Sequence, residues 1–226
     1  MKSYQELKEL HGKEYVEKFE KYQNPLQIYR LIKYVKLDIH FSVVDFGCGN
    51  GLLMECIAPL VKSYTGVDFS EPFIEAAERR KKRLMIDNAE FFFSSIEDFC
   101  NKNKEKFDIG FALDLSEHVY DKEWLKTLKK IRQSLKENGT LYLHTPNANF
   151  FLELMKNHSF LINQFPQHIA VRSPEENCSL LEKAGFQEIE LIHLPHYNIL
   201  RFFHAFSYIP FWGRYFSARI FIIAVK

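Results

Sequence analysis

Two hydrophobic β-type runs flank a glycine-rich turn in this chain: Val43-Val44-Asp45-Phe46-Gly47-Cys48-Gly49-Asn50-Gly51, then Thr65-Gly66-Val67-Asp68 downstream. A strand that feeds a glycine turn, with an acid closing the next strand, is the pattern of a nucleotide site on an open α/β sheet. The turn lets backbone N–H groups approach a ligand. Asp68, twenty-one positions after Gly47, stands where a carboxylate can accept both hydroxyls of a ribose. Two details speak against a dinucleotide. The glycines are spaced G-x-G-x-G, with Leu52 in the place of the third glycine of G-x-G-x-x-G. Asp45 lies two residues before the first glycine, where its charge would repel a pyrophosphate and tolerate a cation. The alternative, a turn with incidental glycines, sits poorly with the spacing of Asp68.

Strand-type and helix-type segments alternate beyond this turn. A polar helix over 2–22, with Tyr4, Leu7, Leu10 and Tyr15 loosely periodic, and a second over 25–36 opened by Pro25 make an N-terminal helical cap, residues 1–38. The remainder, 39–226, is expected to form one domain. Its strands are predicted at 41–46, 63–68, 89–93, 107–113, 140–145, 187–193 and 217–225. Helices are predicted over 51–61, after Ser70 as N-cap with Phe73, Ala77 and Leu84 as its buried stripe, and over 174–184 behind the capping box Ser173-Pro174-Glu175-Glu176. The clearest helix runs over 121–137, capped by Asp121, with Trp124, Leu128, Ile131 and Leu135 at helical spacing and Asn138-Gly139 at its end. Phe91-Phe92-Phe93 does not alternate, which predicts a strand buried on both faces. The fold class is therefore α/β: a Rossmann-like, mostly parallel seven-stranded sheet with helices on both faces. Such sheets bind ligands at the carboxyl ends of their strands, and Asp45, Asp68, Ser94 to Asp98, Asp114 and His144 are all expected there.

Composition excludes several classes of function. The chain's 30 basic and 29 acidic residues nearly cancel, so no nucleic-acid footprint is expected. The run Arg79-Arg80-Lys81-Lys82-Arg83 is expected to be a solvated helix end, favourably placed against the helix dipole. Cys48, Cys56, Cys100 and Cys178 form no C-x-x-C pair and suit a reduced compartment better than a disulfide framework or zinc site. The start Met1-Lys2-Ser3-Tyr4 lacks an apolar signal region, and no window holds 18 uninterrupted apolar residues. The expected location is cytoplasmic. Nothing in the composition fixes an oligomeric state.

A ligand with adenosine, a ribose diol, no phosphate and a positive centre is S-adenosylmethionine. At the glycine turn and Asp68 the chain resembles the class I S-adenosylmethionine-dependent methyltransferases, and the resemblance covers about 40–226. It implies that Gly47, Cys48, Gly49 and Gly51, with Asp45 beneath them, meet the amino-acid part of the cofactor. Asp68 and Phe69 would face the ribose, and Ser95, Ile96 and Glu97 the adenine. Asp114 and Leu115 would lie against the transferred methyl, and the final strand would insert antiparallel. Glu97 and Asp98 equally suit the N-terminus of a helix.

The segment Asp114-Leu115-Ser116-Glu117-His118-Val119, with Asn24-Pro25-Leu26 and His168, loosely resembles the 3-demethylubiquinone O-methyltransferases. That resemblance implies a divalent ion, such as Mg2+, on Asp114, Glu117 and His118, with Asp114 in the place of a longer Glu. After Asn-Pro-Leu this chain has Gln27 where that family has an arginine. The other role for Glu117 and His118 is to orient their loop by hydrogen bonds. Glu117, His118, His144 and His168 are the candidate catalytic groups. A phenol of pKa about 10 is mostly protonated at neutral pH, and a histidine near 6.5 can take its proton during attack on a sulfonium.

The expected activity is methyl transfer to a small hydroxylated acceptor: quinone-like, lipid-linked or glycan-linked. The alternatives are a non-catalytic binder of the cofactor or of a partner, and an N-methyltransferase, though no Asn/Asp-Pro-Pro-Tyr motif follows the fourth strand. Residues 195–217 interleave aromatics with Arg201, Arg214 and histidines. They suit a wall against a flat or lipid-tailed acceptor, with Phe202, Phe203, Phe206 and Trp212 as its apolar part. They equally suit peripheral membrane contact, or a flap that completes the core.

Overall fold

The computed structural model describes residues 12–23, 25–157, 168–196 and 199–226. Tyr4, Leu7, Leu10, Asn24 and Phe165 to Gln167 fall outside these. The described elements are α1 (Lys13–Tyr22), α2 (Pro25–Ile32), β1 (Ser42–Phe46), α3 (Leu52–Ile57), β2 (Ser63–Asp68), α4 (Glu71–Leu84), β3 (Ala89–Phe93) and α5 (Ile96–Lys102). Then follow β4 (Phe107–Leu113), α6 (Asp121–Ser134), β5 (Leu135–Pro146), α7 (Phe151–Asn157), α8 (Pro174–Ala184), β6 (Gln187–Leu194) and β7 (Arg219–Val225). The strands form one seven-stranded sheet in the order β3-β2-β1-β4-β5-β7-β6. β1 pairs parallel with β2 and β4, and β2 parallel with β3. β7 runs antiparallel to both β5 and β6, as the resemblance implied. The chain divides into two compact units, 1–111 with 133–139 and 112–132 with 140–226.

In the first unit, β1 and β2 are covered on both faces: Val43, Val44, Phe46, Tyr64 and Val67 are fully buried, and Asp45 and Thr65 among them are buried too. Helix α4 packs Phe73 and Ala76 against Val16 of α1. In the second unit, α6 buries Trp124, Leu128 and Ile131 completely, each contributing about 1.5–3 kcal/mol of transfer free energy. Helix α8 starts at the expected capping box: the Ser173 hydroxyl accepts from the Glu176 N–H, and the Glu176 carboxylate accepts from the Ser173 N–H. Gly185 closes it in the left-handed region, at φ 95°.

Several expectations are corrected. β3 is an edge strand, so Phe92 and Phe93 are 39% and 48% exposed and only Ala89 is buried. The helix predicted over 121–137 ends at Ser134, because the Gln133 and Ser134 carbonyls accept the amides of Glu105 and Lys106 and strand structure begins at Leu135. Asp121 is its first residue and not its cap; the carboxylate accepts from Arg172. Ser70 occupies an N-cap position in extended backbone, but no side-chain cap bond forms; its N–H donates to Asp68. Helix α3 is shorter than predicted because Pro59 turns 58–60 into a 3-10 turn. Helix α2 stops at Ile32, and α7 was not anticipated.

Candidate active site

The candidate residues form two groups, one in each unit. In the first unit the glycine turn follows β1. Gly47, Gly49 and Gly51 all take positive φ, at 74°, 52° and 74°. At Gly51 a side chain is excluded twice, by that φ and by crowding: a Cβ would lie 3.1 Å from Phe91 Cζ and 3.3 Å from Ala77 Cβ. The Gly47 and Cys48 amides donate to the Val67 carbonyl at 2.8 and 3.1 Å, which ties the turn to the end of β2. Asp68, 6% exposed, accepts the Gly49 N–H on Oδ2 at 3.0 Å and the Ser70 N–H on Oδ1 at 2.9 Å. A carboxylate has about four lone-pair sites, so both oxygens keep acceptor capacity for a ligand diol. Phe69, next in the chain, is half-buried.

Asp45 lies inside β1, not at its mouth, and is 3% exposed. Its Oδ2 accepts from the Tyr64 hydroxyl at 2.6 Å. Burial pushes its pKa up to about 7, and the Tyr64 bond offsets only part of that. Cys48 is buried, and loss of water raises its thiol pKa well above the ordinary value. Ser95 caps α5: its hydroxyl oxygen accepts the Asp98 N–H at 3.1 Å. Ile96 and Glu97 form the first turn of that helix and are half-buried. Sequence reasoning missed Gln23 and Asn50. The Gln23 side-chain oxygen accepts from Asn50 Nδ2 at 2.7 Å and from Arg80 Nη2 at 3.2 Å, joining the turn after α1 to the glycine turn and to α4.

In the second unit Asp114 ends β4 in left-handed backbone, at φ 51°. Its Oδ1 accepts from the Arg219 guanidinium and lies 3.0 Å from His144 Nδ1. Loss of water works against ionisation here, but Arg219 and then His144 outweigh it and hold the carboxyl well below its usual range. His144, placed by sequence at a strand edge, is fully buried within β5, and burial lowers its pKa despite Asp114. Leu115 follows, half-buried, ahead of the short 3-10 turn Ser116–His118.

Glu117 is 1% exposed and accepts from the Thr145 hydroxyl at 3.1 Å; Thr145 in turn accepts from Ser116 at 2.9 Å. Burial first, and the Asp114 charge second, push Glu117 up to about 8. The Glu117 main-chain carbonyl accepts the amides of Ile169 and Ala170, which brings His168 to the same turn. The His118 and His168 rings meet edge to face, with centroids 5.3 Å apart. Burial and the nearby His118 lower His168 to about 4. Arg172, 4% exposed, locks the turn: it donates to the Ser116 and Val119 carbonyls and to Asp121 Oδ1. Arg172, Arg219 and Thr145 were all missed by sequence reasoning, since nothing local marks them.

Among the described residues, ligand atoms of Glu117, His118 and His168 lie within 4.8 Å of one another, close enough to share a metal ion. Asp114 is outside this group and is engaged by Arg219. One carboxylate with two imidazoles suits zinc, manganese or iron better than magnesium, which prefers an oxygen shell. The donor set therefore does not fit Mg2+.

The family model described as "Methyltransferase domain" matches residues 13–191. A ubiquinone biosynthesis O-methyltransferase of Coxiella burnetii is 28% identical over 187 residues, covering 79% of this chain and 76% of that protein. Among solved structures, an S-adenosylmethionine-dependent methyltransferase from Archaeoglobus fulgidus superposes with a TM-score of 0.69 at 18% identity, over 89% of this chain and 92% of that one. A geranyl diphosphate C-methyltransferase from Streptomyces coelicolor, solved with Mg2+ and S-adenosyl-L-homocysteine, gives 0.65 at 17% identity, over 89% and 75%. These structural likenesses carry the fold, not the acceptor.

Proposed function

The chain belongs to the class I S-adenosylmethionine-dependent methyltransferases, and we propose accordingly that it methylates an oxygen of a small hydroxylated molecule. The observation that carries this reading is the convergence of Glu117, His118 and His168, with the 28% identical ubiquinone O-methyltransferase as support for oxygen as the acceptor atom.

S-adenosylmethionine, when bound, supplies an electrophilic methyl on a sulfonium. The donor set of the first unit fits this group: amides of a left-handed glycine turn for its carboxylate, Asp68 for its ribose diol, and Asp45 for its positive centre. Ser95, Ile96 and Glu97 flank the adenine, and Phe69 gives apolar contact. Helices α1 and α2 act as a cap, fastened through Gln23 to Asn50 of the glycine turn.

His118 accepts the acceptor's hydroxyl proton as its oxygen attacks. His168, uncharged at neutral pH, steadies the His118 ring from its edge. Glu117 holds its own proton below about pH 8 and serves as a hydrogen-bonding wall, not as the base. Asp114 is kept ionised by Arg219. His144 acts through Asp114 as a positioning residue. No step is routed through magnesium.

The test is incubation with methyl-labelled cofactor and a panel of catechols, hydroquinones and glycans, with mass spectrometry locating the label. The expected result is an O-methyl product whose formation His118→Ala lowers at least a hundredfold, with cofactor affinity within threefold of wild type. Label found only on nitrogen, or no S-adenosylhomocysteine formed with any acceptor, would sink the proposal.

A further inference from the structure

The connection between β6 and β7 contains ten residues of 3-10 helix, Ile199–Tyr208, and a second turn, Gly213–Tyr215. Phe203 and Phe206 lean on an aromatic floor. The Phe203 ring meets Phe151 at 5.6 Å, Phe206 meets Phe216 at 5.4 Å, and Phe216 lies 6.2 Å from Phe151. The Phe203 and Phe206 rings still reach solvent, at 39% and 46% exposure. Phe202 is 66% exposed, Tyr208 82%, Ile209 44%, Phe211 94% and Trp212 65%. All four residues expected from sequence to form an apolar wall, Phe202, Phe203, Phe206 and Trp212, are exposed, with Phe203 and Phe206 backed by aromatic partners. A contiguous apolar patch of this kind marks an interaction surface.

The backbone holds the patch in a fixed shape. The Ile209 amide donates to the Phe206 carbonyl at 3.1 Å, Trp212 to Pro210 at 2.9 Å and Gly213 to Ile209 at 2.8 Å. Phe211 sits at φ 65°, a left-handed conformation that bulky residues avoid, and its ring is held out into solvent. A Cβ on Gly213 would lie 2.0 Å from the Ser207 carbonyl oxygen, so only glycine allows this turn.

Charge narrows the choice of occupant. Glu190 is the last acidic side chain, and from residue 191 onward every charged side chain is cationic: Arg201, Arg214, Arg219 and Lys226. Arg219 is engaged by Asp114. Arg201 and Arg214 are exposed, with their guanidinium groups 5.3 Å from the Phe202 ring centre and 4.8 Å from that of Tyr215. A second copy packed here about a twofold axis would bring the exposed Arg201 and Arg214 towards their own counterparts, and the segment itself carries no carboxylate to relieve their repulsion. An anionic bilayer surface supplies both requirements, an apolar boundary for the rings and phosphates for the guanidinium groups. No helix among the described residues is long and apolar enough to cross a membrane, so the contact would lie in the interface.

We propose that the 201–214 tip docks this protein onto anionic phospholipid membranes, with Phe202, Phe211 and Trp212 entering the interface and Arg201 and Arg214 holding lipid phosphates. The proposal goes beyond methyl transfer and stands or falls independently of it.

The full chain would be sedimented with vesicles of phosphatidylcholine alone or of equal phosphatidylcholine and phosphatidylglycerol. At low salt, at least tenfold more protein should pellet with the anionic vesicles. Trp124 is fully buried and Trp212 is exposed, so brominated lipids should quench Trp212 emission selectively. Trp212→Phe should abolish that quenching and still sediment. Phe202→Ser with Phe211→Ser should lower sedimentation at least tenfold. Arg201→Glu with Arg214→Glu, both at exposed sites, should remove the preference for anionic lipid even if the phenylalanine variant fails to fold. Equal pelleting with both vesicles, no pelleting, or a wild-type dimer that the phenylalanine variant dissociates would overturn the proposal.

Discussion

Asp68 and Glu117 are both carboxylates taken almost wholly out of water, at 6% and 1% exposure, but their surroundings treat the charge differently. Asp68 accepts two backbone N–H groups, from Gly49 and Ser70, that the turns around it aim at its two oxygens. Glu117 accepts from the Thr145 hydroxyl and from a main-chain N–H, but burial and the charge of Asp114 outweigh these bonds and its pKa climbs to about 8. Main-chain dipoles aimed at both oxygens can stand in for hydration, whereas a neighbouring like charge works against it. The first unit therefore presents a site built from the backbone. The second presents one built from side-chain charges that must be held in register.

The largest effect expected from that difference at neutral pH is at Arg172. Removing a buried guanidinium leaves the Ser116 and Val119 carbonyls without this donor, so Arg172→Met should cost about 3 kcal/mol of stability. Denaturant unfolding would measure it. Cofactor affinity of the folded variant should stay within tenfold of wild type; a loss as large as that in stability would mean the two sites are not separable in this way. Next is Asp68→Ala. Loss of a charge-assisted acceptor to the ribose diol should cost about 2–3 kcal/mol, on the order of a hundredfold in cofactor affinity by calorimetry. Unchanged affinity would remove Asp68 from the site.

The same contrast explains what the sequence disclosed. The glycine turn, Asp68 and β1 to β3 are set by residues close together in the chain, and Gly47, Gly49 and Gly51 all take the positive φ that favours glycine, so identity and spacing carried the information. The acid–histidine site is assembled from Asp114, Thr145, His168, Arg172 and Arg219, spread over more than a hundred positions. Only Glu117-His118 formed a local motif there. Arg172 precedes a well-marked helix cap and Arg219 opens a strand, so local pattern assigned both to ordinary structure. The mistaken burial of Phe92 and Phe93 has a similar origin: periodicity reports how apolar a strand is, not whether it lies at a sheet edge. Helix α6 ends before Asn138-Gly139 because of long-range pairing by residues 105 and 106, which outweighed a good local stop signal.

Glu117 offers a pH-dependent effect that sharpens the comparison. Its folded pKa of about 8 lies above the ordinary 4.5. The folded state thus holds this proton more tightly than the unfolded chain does. The stability it contributes is fully present below about pH 4.5 and is lost as the pH rises through about 8. Glu117→Gln cannot ionise and escapes that loss. Relative to wild type, the variant should gain stability as the pH rises from 5 to 9, by up to about 4 kcal/mol if the whole shift is expressed, read from denaturant midpoints at each pH. Parallel pH curves for the two proteins would show that Glu117 is solvated in some other way.

Asp45 is the place where the backbone-built site should behave like the other one, and it carries the smallest effect. It is buried beside the glycine turn, its carboxylate accepts from the Tyr64 hydroxyl, and its pKa is raised to about 7. Near neutral pH it is therefore partly protonated in the free protein. A cation bound close by favours the ionised form, so binding should release a fraction of a proton, and affinity should rise as the pH passes through about 7. If the cation lowers the pKa by about half a unit to one unit, the gain between pH 6 and pH 8 is roughly two- to fivefold. Asp45→Asn keeps an acceptor for Tyr64 and removes the titration, so its affinity should be nearly flat over the same range. The comparison with S-adenosylhomocysteine isolates the cause. That ligand shares the adenosine and the amino-acid part but lacks the sulfonium charge, so its affinity for the wild type should change less with pH. If both ligands respond equally, the positive sulfur does not sit near Asp45, and the acid beneath the glycine turn serves to pin Tyr64 and not to greet a cation.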